Sequence, residues 1–522
     1  MDSPSNPLTE NSTSGPGMTT SHYGSIIGEA QMATAQEHKM TLWQGIHLYP
    51  KAIAWSMVIS MAVVMEGFDN ALIGSFYAFP AFQKKYGHEL PDGTYGLTAP
   101  WQAGLSGAMN AGQVLGFLFN GVISEPFGFK KTMLAALFAN VALVPLLFFA
   151  PNKETLLAGE LLLGLPLGIF QTLTTAYASE VCPVVLRSYL TTYVNLSWVI
   201  GQLLALSILN GLVNSPTEWS YRIPFAIEWA WPALILSIVI FAPESPWWHV
   251  RHGNPQRALA SLNRLIEKDM VAGTSISDCF RGVNSRRTWI TCLITTSQAL
   301  CGAGLMAYST YFYLQAGLPT QLSFTLSAVQ YALGFLGTLL SLPLVSHFGR
   351  RTLFVAGLFI LAIILSIIGF LAVAGERPSI SLAIGSFLLV FVFAYNCTIP
   401  STRLRSKTLV ISRTLYNIFC IVNSVIIPYM LNPTAWDWKG KTGFFWAGLC
   451  FLCALFCFFF LLETKGRTYA ELDVLVGQGV SARAFGTTTV NPFETNPSAR
   501  LLQPKLGPDI HISKPADVDS ED

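Results

Sequence analysis

Twelve predominantly apolar stretches, each close to the length of a bilayer-crossing helix, run through this 522-residue chain and leave few folds open to it. A helix rises about 1.5 Å per residue, so roughly 20 apolar residues cross the hydrocarbon core. Only structures that satisfy their own backbone hydrogen bonds survive against lipid. The stretches lie near 52–75, 101–123, 131–150, 155–178, 189–213, 223–242, 288–314, 323–346, 352–374, 380–399, 408–431 and 442–462. An all-α integral membrane protein of twelve transmembrane helices is therefore expected. Charged residues make up 11% of the chain, against about 25% in soluble domains. A net charge of +2 gives no nucleic-acid footprint.

The longest break, 243–287, divides the spans six and six. The expected organisation is a disordered cytosolic tail (1–47), a six-helix bundle (48–242), a cytosolic central loop (243–287), a second bundle (288–463) and a cytosolic tail (464–522). The first tail is rich in Ser, Thr, Pro and Gly and lacks an apolar core, which argues against both order and a cleavable signal. Orientation follows the excess of Lys and Arg on the cytosolic side. With both termini inside, that side carries fifteen loop Lys and Arg residues against seven outside, and seven of the fifteen belong to the central loop.

Internal repetition relates the two halves. SEPFGFKK (Ser124 to Lys131) follows span 2 and SHFGRR (Ser346 to Arg351) follows span 8; Glu244 follows span 6 and Glu463 follows span 12. The offsets are 222 residues from Ser124 to Ser346 and 219 from Glu244 to Glu463. Equivalent loops at a near-constant offset imply two parallel six-helix repeats, as in major facilitator transporters.

Glu66 and Asp69 lie within the first span, where a carboxylate costs roughly 2.5–3.5 kcal/mol on insertion scales and so faces a wet cavity or a partner. Spaced i, i+3, they are expected to share one helix face. An acidic pair at this depth points to proton handling. Nine cysteines, mostly inside apolar runs, read as small buried side chains; Cys450 and Cys453 form a CxxC without a second pair, so no metal is expected. No nucleotide-binding glycine loop or hydrolytic triad is apparent, which argues against an enzyme.

Several stretches in order carry a resemblance: MEGFDNALIGSFYAFPAFQKKYG, ASEVCPVVLRSYLTTYVNLSWVIGQ, APESPWWHVRHGNPQRA, PSTRLRSKT, NPTAWDWKGKTGFFWAG and ETKGRTYAELD. The chain resembles the sugar-porter branch of the major facilitator superfamily over roughly 48–475, and within it the fungal maltose and α-glucoside permeases. The resemblance implies two pseudo-symmetric six-helix bundles and proton-coupled sugar import by alternating access. It also implies a fungal plasma membrane and a monomer driven by the proton gradient without a cofactor. The alternatives are a major facilitator transporter of another small molecule, such as a secondary metabolite, and a non-transporting sugar sensor.

The resemblance groups Arg413 of span 11 with Glu66 and Asp69 for proton coupling. Glu160 stands on span 4 where most sugar porters have arginine, and Glu228 on span 6 where glutamine is expected; each is a coupling residue or a structural partner. The sugar-porter pattern nominates Gln202, Gln298, Tyr308 and Asn417 for the substrate, with Gln171, Asn195, Tyr311, Gln330 and Trp446 as weaker additions. Amides and hydroxyls bond ring hydroxyls, and aromatic faces stack on C–H surfaces; each such polar group could equally join two helices. Glu180, Arg187, Lys130, Lys131, Arg350 and Arg351 are expected to form inner-side ion pairs that act as latches, or else to anchor the loops. The second half departs from the pattern at span 10, where Thr398 stands seven residues before Arg405, as Glu180 stands before Arg187.

Overall fold

The structure, a computed structural model, describes residues 42–90, 93–182, 184–254, 261, 283–375, 377–398 and 406–461. The first half comprises α1 (Pro50–Phe76), α2 (Ala99–Phe127), α3 (Phe129–Phe148), α4 (Lys153–Val181), α5 (Val184–Leu212) and α6 (Trp219–Val239). The second comprises α7 (Trp289–Ala307), α8 (Thr320–Phe348), α9 (Arg350–Val373), α10 (Pro378–Thr398), α11 (Ser406–Leu431) and α12 (Thr442–Phe460). A two-residue ribbon, β1 (His88–Glu89) against β2 (Tyr95–Gly96), decorates the loop before α2.

Among the described residues, eleven helices are long and apolar enough to cross a membrane. The one remaining expected span, α2, has 29 residues but falls short in apolar character. Its Gln102, Gln113 and Asn120 are buried in protein rather than turned to lipid, so its polarity is met inside the fold. One expectation is corrected at the N-terminus: residues Leu42–Leu48 form a short helix within the tail read as disordered to residue 47. Gly45 packs against Leu186 of α5, while Trp43 is 73% exposed, as suits an interfacial aromatic. The rest of that tail, and the tail after Leu461, lie outside the described residues.

The repeat seen in the sequence is carried into the backbone. Gly128 (φ +87°) separates α2 from α3 and Gly349 (φ +81°) separates α8 from α9, so each half turns at the same place through a left-handed residue. Glycine occupies that region without steric cost. Despite its missing acid, α10 forms a full 21-residue helix ending at Thr398, which packs against Gly357 of α9.

Within the first half α2 lies against α4 and α1 against α5; within the second, α9 lies against α12 and α8 against α10. The α2–α4 contact is backbone to backbone. A Cβ on Gly112 would stand 2.1 Å from the Leu161 carbonyl oxygen, and one on Gly168 would stand 2.3 Å from that of Gln113. Small residues permit such close approach, which replaces the hydrophobic drive absent in lipid.

The halves meet through α2 with α11 and α5 with α8. Several cross-half contacts gather on the face that carries residues 77–98: Ser75 with Thr310 at 3.2 Å, Asn432 Nδ2 to the Leu97 carbonyl at 3.1 Å, and Tyr77 stacked on Tyr308 at 5.8 Å. Phe79 meets Phe324 edge-on at 5.7 Å, and Gly74 lies directly against the Ala307 carbonyl. Span 7 is kinked: a π turn (Ala299–Ala303) contains Gly302 at φ +89°, and its outer part continues as Ser309–Gln315 after Tyr308.

Candidate functional site

A central chamber opens between the halves, lined from α1, α2, α4 and α5 on one side and α7, α8, α10 and α11 on the other. Gln171, Gln202, Gln298, Tyr308 and Asn417 all line it, so the structure brings the five expected substrate residues together. Asn195 lines it as well, whereas Tyr311, Gln330 and Trp446 do not. Gln330 instead accepts from Tyr313 Oη at 3.0 Å, a bond between helices.

Glu66 and Arg413 face this chamber from opposite halves, near enough for the guanidinium to act on the carboxyl. Glu66 is 3% exposed. Gln171 Nε2 donates to its Oε1 at 2.8 Å, and Oε2 has no protein donor. The Arg413 guanidinium also lies 5.8 Å from the Tyr416 ring centre.

Asp69 corrects the expected shared face. Val63, Glu66, Asn70, Ile73 and Gly74 line the chamber, a stripe at helical spacing from which Asp69 is absent. Three residues along a helix of 3.6 per turn leave a rotation of about 60°, enough to turn Asp69 away from Arg413 and towards α4 and α6. There its carboxyl adjoins that of Glu228, with Glu160 close to both. Asp69, Glu160 and Glu228 are all buried, and no described N–H or hydroxyl reaches either oxygen of Asp69 or of Glu160. The four acids therefore divide into one chamber group and one trio behind it.

The described bonds of the expected latch residues run to backbone carbonyls and to a serine. Lys130 Nζ donates to the Ile240 carbonyl at 2.5 Å, Lys131 is exposed, and neither is within ion-pairing distance of a described acid. Glu180 accepts from Ser245 Oγ at 2.7 Å. Arg351 donates to the Phe458 carbonyl at 2.9 Å. The side chains of Arg187 and Arg350 lie outside the described residues.

The acid that organises the α2–α3 turn is Glu244. Its carboxylate accepts from the backbone N–H of Phe129 at 2.8 Å, of Lys130 at 3.1 Å and of Ser245 at 3.1 Å. It thus caps the N-terminus of α3, where donors are free and the helix dipole favours an anion. Burial pushes its carboxyl above the ordinary range, against the pull of those three donors. Trp248 Nε1 completes the clasp by donating to the Glu125 carbonyl at 2.7 Å.

Gln113 and Trp198 are among the chamber residues that sequence reasoning missed. Gln113 lines the chamber and bonds Asn417 at 2.6 Å; Ser106, Asn110 and Gln113 form a polar stripe at helical spacing, a signal present in the sequence. Trp198 lines it too, and its indole N–H has no acceptor. Nothing in the sequence separates Trp198 from the chain's other tryptophans.

The sequence profile of the family described as "Sugar (and other) transporter" matches residues 55–476. The alpha-glucosides permease MPH3 of Saccharomyces cerevisiae is 40% identical over 505 residues, covering 89% of this chain and 84% of that one. The maltose permease MAL31 of the same species is 38% identical over 504 residues, covering 89% and 82%. The fold is similar to that of the xylose transporter XylE of E. coli, solved in a partially occluded inward-open conformation. Its TM-score is 0.65 at 19% identity, over 80% of this chain and 100% of that one. With a matching profile over most of its length and relatives at this identity, the chain belongs to the sugar transporter family of the major facilitator fold, a family of multi-pass membrane transporters rather than enzymes.

Proposed function

We propose that this protein imports maltose or a related α-glucoside together with a proton, by alternating access, across a fungal plasma membrane. Both termini lie in the cytosol, and the protein works as a monomer without a cofactor. The observation that carries this reading is the chamber: a carboxyl group (Glu66), a guanidinium (Arg413) and amides from both halves face one another there. The names borne by the yeast relatives support the substrate class.

The chemistry follows from what each group can do. Amides donate and accept at once, as sugar hydroxyls do, so Gln171, Gln202, Gln298 and Asn417 can hold a polyol without stranding its hydroxyls. Tyr308 offers an aromatic face and an unpaired hydroxyl. Glu66 holds its position through one oxygen and keeps the other available to a proton. When Glu66 is charged, Arg413 attracts it and draws the halves together across the chamber; when it is protonated, that attraction falls and the helices are free to part. A proton carried inward brings one positive charge down the membrane potential, about 2.3 kcal/mol per 100 mV, enough for nearly fiftyfold accumulation.

The test is labelled maltose uptake into proteoliposomes with an imposed proton gradient. Maltose should accumulate and the lumen should acidify with it. A protein that equilibrates maltose but never concentrates it would leave sugar transport standing and remove the proton; one that ignores maltose while moving another solute would remove the substrate.

A further inference from the structure

We propose that Gln113 is a substrate-positioning residue, and that its bond to Asn417 is the cross-half contact an arriving sugar must open and replace. This rests on the sugar-transport reading above and adds to it the device by which substrate and opening become one event.

Asn417 Nδ2 donates to Gln113 Oε1 at 2.6 Å, both side chains are buried, and both line the chamber. Each amide is fixed to its own half. Gln113 sits on α2, whose backbone is locked against α4: the Gln113 carbonyl itself occupies the space over Gly168, and Gly112 and Gly116 meet the carbonyls of Leu161 and Leu165. Asn417 sits on α11, which is tied to α7 by Asn423 Nδ2 donating to the Ala299 carbonyl at 2.8 Å. Neither amide can follow the other when the halves separate, so separation at this level breaks the bond.

Breaking it exposes a definite set of groups. Gln113 Oε1 becomes a free acceptor and Asn417 Nδ2 a free donor, beside Gln113 Nε2, which already lacks an acceptor. Buried amides left unpaired are costly, and a ligand that both donates and accepts at the same place recovers that cost. A sugar hydroxyl does both: it donates to Gln113 Oε1 and accepts from Asn417 Nδ2, and a neighbouring hydroxyl accepts from Gln113 Nε2. The pair therefore selects for hydroxyls placed to bridge the halves.

The experiment measures binding of maltose and its monodeoxy analogues to the purified full-length protein and to Gln113→Met, which keeps the side chain's length and loses its hydrogen bonds. Maltose affinity should fall about tenfold, the loss of one well-made polar contact. At one hydroxyl position, the penalty the wild type pays for the deoxy analogue should disappear in the variant. A purely structural link between α2 and α11 would not single out one hydroxyl. Should Gln113→Met not fold, Gln113→Asn, whose amide stops one methylene short of Asn417, carries the same two readouts. Unchanged maltose affinity, or deoxy penalties retained in full at every position, overturns the inference. Wild-type protein that binds no maltose removes the substrate reading first, and with it this inference, so the two failures are distinct.

Discussion

Gln171 Nε2 donates to Glu66 Oε1 across 2.8 Å, anchoring the acid of the chamber to α4 by one oxygen and leaving Oε2 without a protein donor. A carboxyl held this way has a fixed position and a vacant acceptor, which is what a proton carrier beside a sugar site requires. Arg413 supplies the opposing charge from the other half.

Glu66→Gln keeps an oxygen for Gln171 and abolishes titration. Exchange of labelled maltose between equal pools should persist, whereas accumulation should fall from the roughly fiftyfold that one charge through 100 mV supports to near unity. Proteoliposomes with a clamped potential give both readings, and undiminished accumulation would place the proton elsewhere.

Asp69→Asn should behave differently, because Asp69 faces Glu228 and Glu160 rather than the chamber. Replacing a buried acid that no N–H reaches removes a desolvation cost, so thermal unfolding of the purified protein should be unchanged or up to about 1–3 kcal/mol more favourable to the folded state. Maltose affinity should stay at the wild-type value. A marked loss of stability would mean that the carboxyl group itself holds α1 to α6.

Trp198 offers the chamber an indole N–H with no acceptor. Trp198→Phe keeps an aromatic face and removes the donor, and should raise the KM for maltose by roughly fivefold to tenfold, as loss of one hydrogen bond does, with kcat preserved. Trp198→Leu removes the stacking surface too and should cost more. Uptake kinetics in transporter-null cells separate the two, and equal losses would assign Trp198 a packing role.

Gly112→Ala tests the lock between α2 and α4. The new Cβ would stand 2.1 Å from the Leu161 carbonyl oxygen, so the helices must separate, at a cost of about 1–3 kcal/mol or more. The unfolding midpoint of the purified variant should drop; one equal to wild type would show that the contact is slack.

Glu244 gives a pH dependence outside the membrane. Burial sets its carboxyl above the ordinary value of 4.5, so the folded clasp favours the protonated form. The stability contributed by that shift is full below the ordinary value and is lost as pH rises through the raised one. Proteolytic protection of the segment after α6 should therefore weaken across that rise in the wild type and stay flat in Glu244→Gln. Glu244→Ala, which leaves Phe129 and Lys130 N–H without an acceptor, should expose the segment at every pH; a Glu244→Gln profile as steep as that of the wild type would assign the dependence to another group.

The spans, the six-and-six division and the paired turns at Gly128 and Gly349 were legible because length, apolarity and glycine are written residue by residue. The four chamber amides and Tyr308 were legible only through family resemblance, and all five line the chamber. What the sequence concealed was angle and distance. Spacing of three put Glu66 and Asp69 on one side of α1, yet 60° of rotation sends one to the chamber and the other into the trio with Glu160 and Glu228. Nor did the charge pattern show that the backbone of α3 would hold Glu244 or that Lys130 would reach the Ile240 carbonyl. Gln113 was legible in principle, since a polar stripe in a spanning helix has to face something other than lipid.

That stripe also bears on how the protein is made. A crossing as polar as α2 is a poor candidate for release into lipid on its own, because Asn120 and Gln113 find their partners in α4 and α11, which are synthesised later. It must be sheltered beside its already inserted neighbour, or retained at the insertion machinery, until those helices emerge. The features that furnish a water-loving interior in the finished transporter thus make its second crossing the vulnerable moment of biogenesis.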